Sequence, residues 1–144
     1  MAEKKDQYIA AYIADNSYDE VVLSYALFMS NILKKGLILL SISDPKYTTI
    51  TTAEAEVHLK ELKARIMSDT YVTYCALKGE TRKILSALPA AFNVVTIVAA
   101  VDKNASRKSP IAKRNVLKNF SDCKTAFLLV QKKLEDINKI KFQE

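Results

Sequence analysis

The chain has 144 residues, of which 49% are hydrophobic and 26% charged, a balance that belongs to one folded domain rather than to a disordered chain. It contains two glycines (Gly36 and Gly79), one histidine (His58) and two cysteines (Cys75 and Cys123). Those counts exclude a P-loop, a G-x-G-x-x-G turn, a zinc finger and a His-rich metal centre, and would route any Ser-His-Asp triad through His58.

The net charge of +6 is unevenly spread. Residues 1–70 carry 8 basic and 10 acidic side chains, whereas residues 71–144 carry 14 and 6, so the surplus lies in the second half. Lys103, Arg107, Lys108, Lys113, Arg114, Lys118 and Lys124 form a run opposed only by Asp122. Such a run suits an anionic partner, with a phosphate-bearing small molecule as the narrow reading and a solvated basic face as the plain one. No DNA- or RNA-binding signature accompanies it, so nucleic acid is set aside. The cysteines sit in apolar stretches and read as buried, reduced thiols. The first residues lack signal-peptide character, and no run approaches the ~18 apolar residues that span a bilayer. The expectation is a cytoplasmic protein without a membrane segment, a single domain over 1–144.

Tyr8–Ala14 is a short apolar run and predicts the first strand. Asp15, Asn16 and Ser17 end it, and Ser17-Tyr18-Asp19-Glu20 has the form of a capping box. Val22, Tyr25, Ala26, Met29 and Leu33 then recur at helical spacing, and Lys34-Lys35-Gly36 predicts the stop. Leu37–Ile42 predicts the second strand, closed by Ser43-Asp44-Pro45. Thr51-Thr52-Ala53-Glu54 is a second capping box before the stripe Ala55, Leu59, Leu62, Ile66. His58 lies at the edge of that stripe and reads as a half-exposed helix residue. Tyr71–Leu77 predicts a third strand ended by Gly79. Glu80–Leu88 predicts a short helix stopped by Pro89. Asn93–Val101 is continuously apolar, as in a strand buried on both faces. Ser109 as N-cap and Pro110 at the first helical position predict the last helix, with Ile111, Val116, Leu117 and Phe120 on its apolar side. Thr125–Val130 is the fifth strand.

Strand and helix alternate four times before a final strand. This order implies a parallel sheet with helices on both faces, because parallel strands need crossover connections. Ligands of such sheets bind beyond the carboxyl ends of the strands, which directs attention to Asp15–Ser17 and Asp102–Ser109.

Over nearly its whole length the chain resembles the universal stress proteins. The resemblance rests on Ala14-Asp15-Asn16-Ser17 after the first strand, where the family typically has Asp-Gly-Ser, on Gly79-Glu80-Thr81-Arg82-Lys83-Ile84 after the third, and on the closing helix and strand from Val116 to Val130. It implies a five-stranded parallel α/β fold of the adenine-nucleotide alpha-hydrolase type, strand order 3-2-1-4-5. It also implies a homodimer paired through the last strand, Thr125, Ala126, Phe127, Leu128, Leu129 and Val130, with Lys132, Lys133 and the tail to Glu144 flanking the contact. Nucleotide-binding members carry the motif G-x2-G-x9-G-[ST] after the fourth strand, and here no glycine follows Gly79. The branch implied is therefore one that does not bind ATP in the usual way and is non-catalytic, needs no cofactor, and acts in the stress response by dimerisation or protein binding. The alternative is a sensor of a nucleotide or phosphorylated ligand at an altered site. Asp15 matches the family's nucleotide-contacting acid, and Arg107, Lys108 and Ser109 at the predicted helix start are candidates for an anion. A response-regulator receiver is disfavoured, since it needs an acid where the third strand ends in Cys75-Ala76-Leu77-Lys78. No residue suggests a metal site.

Overall fold

The computed structural model describes residues 5–131. Five strands, β1 (Tyr8–Tyr12), β2 (Gly36–Ser43), β3 (Val72–Lys78), β4 (Val94–Ala100) and β5 (Ala126–Val130), form one parallel sheet in the order β3-β2-β1-β4-β5. Four helices connect them, α1 (Asp19–Leu33), α2 (Thr52–Ala64), α3 (Thr81–Phe92) and α4 (Lys113–Asn119). The predicted fold class and strand order are those observed. The central strand β1 is buried at every position, because both of its neighbours and both helical layers cover it.

Residue alternation along the strands supplies two cores. Ile9, Ala11, Leu37, Leu39 and Val98 face Val22, Ala26, Leu59 and Leu62 of α1 and α2. Tyr8, Ala10, Leu40, Ile97 and Ala99 share the other core with Leu85 and Leu88 of α3, Val116 of α4 and Phe120 just beyond it. The period-2 geometry of each strand thus feeds both helical layers from one segment.

Several local expectations are corrected. Ser17 does not cap α1: Asp15 Oδ1 accepts from the Ser17 N–H at 2.8 Å and Asp15 O from the Tyr18 N–H, which makes a tight turn, and the helix starts at Asp19 with no side-chain cap. The buried face of α1 is Asp19, Val21, Val22, Ala26 and Ser30, while Tyr25 and Leu33 are exposed. Small residues bring the helix close to the sheet, and Ser30 hides its hydroxyl on Ala26 O at 2.9 Å. The left-handed stop of α1 is Lys34 (φ 56°), not Gly36. Gly36 instead opens β2, where a Cβ would lie 2.5 Å from the Tyr8 ring. α3 runs through Pro89 to Phe92, because Leu85 and Leu88 anchor it in the core, and it ends at Asn93 (φ 54°). Asparagine tolerates that left-handed geometry better than most residues.

The last helix also begins later than predicted. Ser109 Oγ accepts from the Ile111 N–H, and Ser109 O accepts from the Ala112 N–H, so Ser109 and Pro110 belong to a turn. A bridge between Asp102 and Ala112 draws the segment toward the end of β4, and α4 starts at Lys113. The capping box at Thr51 is present: Thr51 Oγ1 accepts from the Glu54 N–H at 3.2 Å, and Glu54 Oε1 accepts from the Thr51 N–H at 3.3 Å. Cys75 and Cys123 are unbridged and half-buried. Among the described residues no helix is long and apolar enough to cross a membrane.

Candidate functional site

The carboxyl ends of β1 and β2 open into a cleft of about 630 Å³. Its lining comes from the chain leaving β1 (Ile13, Ala14, Asp15, Asn16), from Ser41, Ile42 and Ser43 of β2, and from Tyr47, Thr48 and Ile50 in the loop beyond. Glu54, Ala55 and His58 of α2 and Pro110 complete it. The volume is that of an ordinary small-ligand pocket, in the position that parallel sheets reserve for ligands.

Two buried carboxylates frame this end of the sheet. Asp44 accepts from the Thr81 N–H at 2.9 Å, the Thr81 hydroxyl at 2.8 Å and the Lys46 N–H at 3.0 Å. It therefore caps α3 from another loop, and Glu80, the residue at the N-cap, makes no side-chain cap bond. Burial pushes its carboxyl upward, but the bonds from Thr81 and Lys46 outweigh that and hold it below the usual range. Asp19 behaves in the opposite way. It is buried, its Oδ2 lies 2.7 Å from His58 Nε2, and its Oδ1 has no hydrogen-bond partner among the described residues. Burial raises its carboxyl pKa against the lowering effect of His58, and the charge of Asp15 adds to the rise.

The loop after β4 is folded onto itself. Asp102 Oδ2 accepts from the Tyr18 hydroxyl at 3.1 Å and Oδ1 from the Asn104 N–H at 2.8 Å. The N–H groups of Ala105, Lys108, Ser109, Ile111 and Ala112 are each bonded within the loop, and Asn115 Nδ2 donates to Arg107 O and Ser109 O at 2.7 Å. These are the donors that a phosphate-cradling loop leaves free. The lining of the cleft includes Asp15 and Pro110 but not Arg107, Lys108 or Ser109. A separate hollow of about 230 Å³ is lined by Asp102, Lys103 and Lys113 among others. Of the basic run, Lys103 and Lys113 line this hollow.

Among the described residues the predicted pairing strand has β4 as its one sheet neighbour. Ala126, Phe127 and Leu128 are exposed, Leu129 is half-buried, and Val130 points into the core. Thr125 precedes the strand and donates its hydroxyl to Val94 O at 3.4 Å. Lys132, Lys133 and the tail to Glu144 lie outside the described residues.

The His58–Asp19 pair escaped the sequence reading. The signal was that Asp19 shares the spacing of the buried stripe Val22, Ala26 and Ser30, so a charge had to sit on the packed face of α1. Its partner is 39 residues away on another helix, and no local pattern names it.

No protein-family model matches the sequence, and no curated protein matches it significantly. Solved structures do match. A universal stress protein from Archaeoglobus fulgidus superposes with a TM-score of 0.65 at 17% identity over 90% of this chain. This chain spans 45% of the length of that one. A universal stress protein in complex with cAMP gives 0.64 at 15% identity, covering 89% of this chain and 98% of that one. The universal stress protein UspA from Lactobacillus plantarum gives 0.61 at 11% identity, covering 90% and 100%. The chain has the fold of these proteins.

Proposed function

We propose that this chain, built on the universal stress protein fold, is a non-catalytic cytoplasmic module of the stress response that works through dimerisation or protein binding and does not bind ATP in the usual way. The observation that carries the reading is the loop after β4. It has no glycine, and six of its backbone N–H groups, those of residues 104, 105, 108, 109, 111 and 112, are bonded inside it. Residues with a Cβ resist positive φ and keep a polyphosphate from the backbone, and donors already used cannot bind it without loss. Asp102 adds like-charge repulsion at the same place.

Calorimetry with Mg-ATP is the test. The expected result is binding weaker than 100 micromolar or none, with no ADP formed on prolonged incubation. A low-micromolar dissociation constant would sink the reading. A second reading, a sensor of a phosphorylated ligand at an altered site, draws support from the hollow beside Lys103 and Lys113 and from the cAMP bound by one fold relative. Stabilisation by cAMP or inorganic phosphate that is lost in Lys113→Ala would favour it.

A further inference from the structure

From Val21 to Leu33 helix α1 contains no charged residue, although one side of it faces away from the sheet. A helix open to water on one side ordinarily carries charge there. Two bonds tell its flanks apart. Glu20 pairs with Arg65 at the end of α2 at 3.2 Å, and Asn31 Oδ1 accepts from the Thr70 hydroxyl just before β3. These mark the flank toward α2 and β3. On the opposite flank Val21, Tyr25, Phe28 and Ile32 form a row spaced by four, three and four. Val21 is buried in the core that Ile111 and Val130 share, whereas Phe28 and Ile32 are 62% and 60% exposed and Tyr25 is exposed as well. The sheet opens in the same direction. Val130 of β5 lies in that core, and alternation turns Leu128 and Ala126 to the same face, where both are exposed. α1 packs on β1, β2 and β4, and β5 is the next strand out. An apolar trough therefore runs between α1 and β5, closed at its head by Val21 and Val130 and open beyond.

We infer that the chain's own segment 132–144, which lies outside the described residues, docks in this trough. The segment sets out from the head of the trough: Gln131 O lies 3.5 Å from the hydroxyl of Tyr18, the residue before α1. Its 13 residues reach about 20 Å at the helical rise, and further if extended, against about 22 Å for the length of α1. Leu134, Ile137 and Ile140 recur at a spacing of three, with Phe142 beyond, and these are the side chains that would cover Tyr25, Phe28, Ile32 and Leu128. Lys132, Lys133, Glu135, Asp136, Lys139 and Lys141 would then supply the charged outer side that α1 lacks. The contact uses the face of β5 and not its edge, so the edge stays open to a second copy.

Methyl nuclear Overhauser spectra of the whole chain test this. Cross peaks are expected from the methyl groups of Ile32 and Leu128 to those of Leu134, Ile137 or Ile140. In a mixture of labelled and unlabelled chains, filtered for contacts between chains, the same peaks should be absent. The double variant Ile137→Asp, Ile140→Asp should abolish the cross peaks and shift the methyl signals of Ile32 and Leu128, while those of Leu59 in α2 stay in place. Ile32→Asp, the reciprocal change at an exposed position, should shift the signals of Ile137 and Ile140. Absence of the cross peaks in the wild type overturns the inference, whatever the variants do. Their appearance between chains overturns it too, and makes a second copy the occupant. Unmoved Ile32 and Leu128 signals in the double variant would likewise empty the trough of this segment.

Discussion

Asp19 and Asp44 are both buried acids at the same end of the sheet, yet their carboxyl pKa values move in opposite directions. The difference is in their partners. Asp44 receives three N–H or O–H donors, and Asp19 has one imidazole for two oxygens. A lowered folded pKa contributes stability that is present above the unfolded value of about 3.9 and lost as pH falls through the folded value. A raised folded pKa contributes stability that is present below about 3.9 and lost as pH rises through the folded value. Urea unfolding followed from pH 3 to pH 7 should therefore show a smaller loss of stability at low pH in Asp44→Asn. Asp19→Asn should show a smaller loss on going from pH 4 toward neutrality. Asp44→Ala removes the external cap and strands the buried Thr81 N–H, which should cost about 2–3 kcal/mol at pH 7. A wild-type midpoint in that variant would mean that water replaces the carboxylate at no cost.

The elements show where sequence pattern is sufficient and where it is overruled. The Thr51 capping box was legible because both of its bonds are local, three residues apart. The apparent box at Ser17 failed because Asp15 took the competing local bond first. Pro89 reads as a stop, yet α3 continues past it for a further turn to Phe92. Proline removes the N–H that would bond to Leu85 O and crowds that carbonyl, at a cost of about 3 kcal/mol in a helix interior. Burial of Leu85 and Leu88 in the second core holds the helix together despite that loss. Pro89→Ala should then raise unfolding stability by about 1–3 kcal/mol, read from the urea midpoint at unchanged m-value. A loss of stability would show that the half-buried pyrrolidine ring contributes more by packing than it costs the backbone.

At the scale of the molecule, β5 leaves one edge of the sheet without a strand partner among the described residues. Ala126, Phe127 and Leu128 are exposed along it, and no proline or charge interrupts the strand. Open edges of this kind invite pairing with another chain. Two copies joined there would continue one sheet through both, which is the dimerisation arm of the proposed function. Light scattering at tens of micromolar protein should give twice the chain mass, and Leu128→Lys should return it to the monomer. A monomer mass for the wild type, or a dimer indifferent to Leu128→Lys, would remove this contact from the model.

The sequence by itself determined the α/β alternation and the boundaries of every strand to within one or two residues, because apolar runs and helical spacing act through neighbours in the chain. The strand order came from the resemblance, and hydrogen bonding across the sheet bears it out. The exclusion of glycine-dependent phosphate loops also follows from composition alone. Tertiary structure decided the rest. It assigned Gly36 to a close approach with Tyr8, made Asp44 the cap of a helix 37 residues away, and set Asp19 against His58. Each of these depends on how two distant segments meet. That geometry is fixed by the packing of helices on both faces of the sheet, and no window of local sequence contains it.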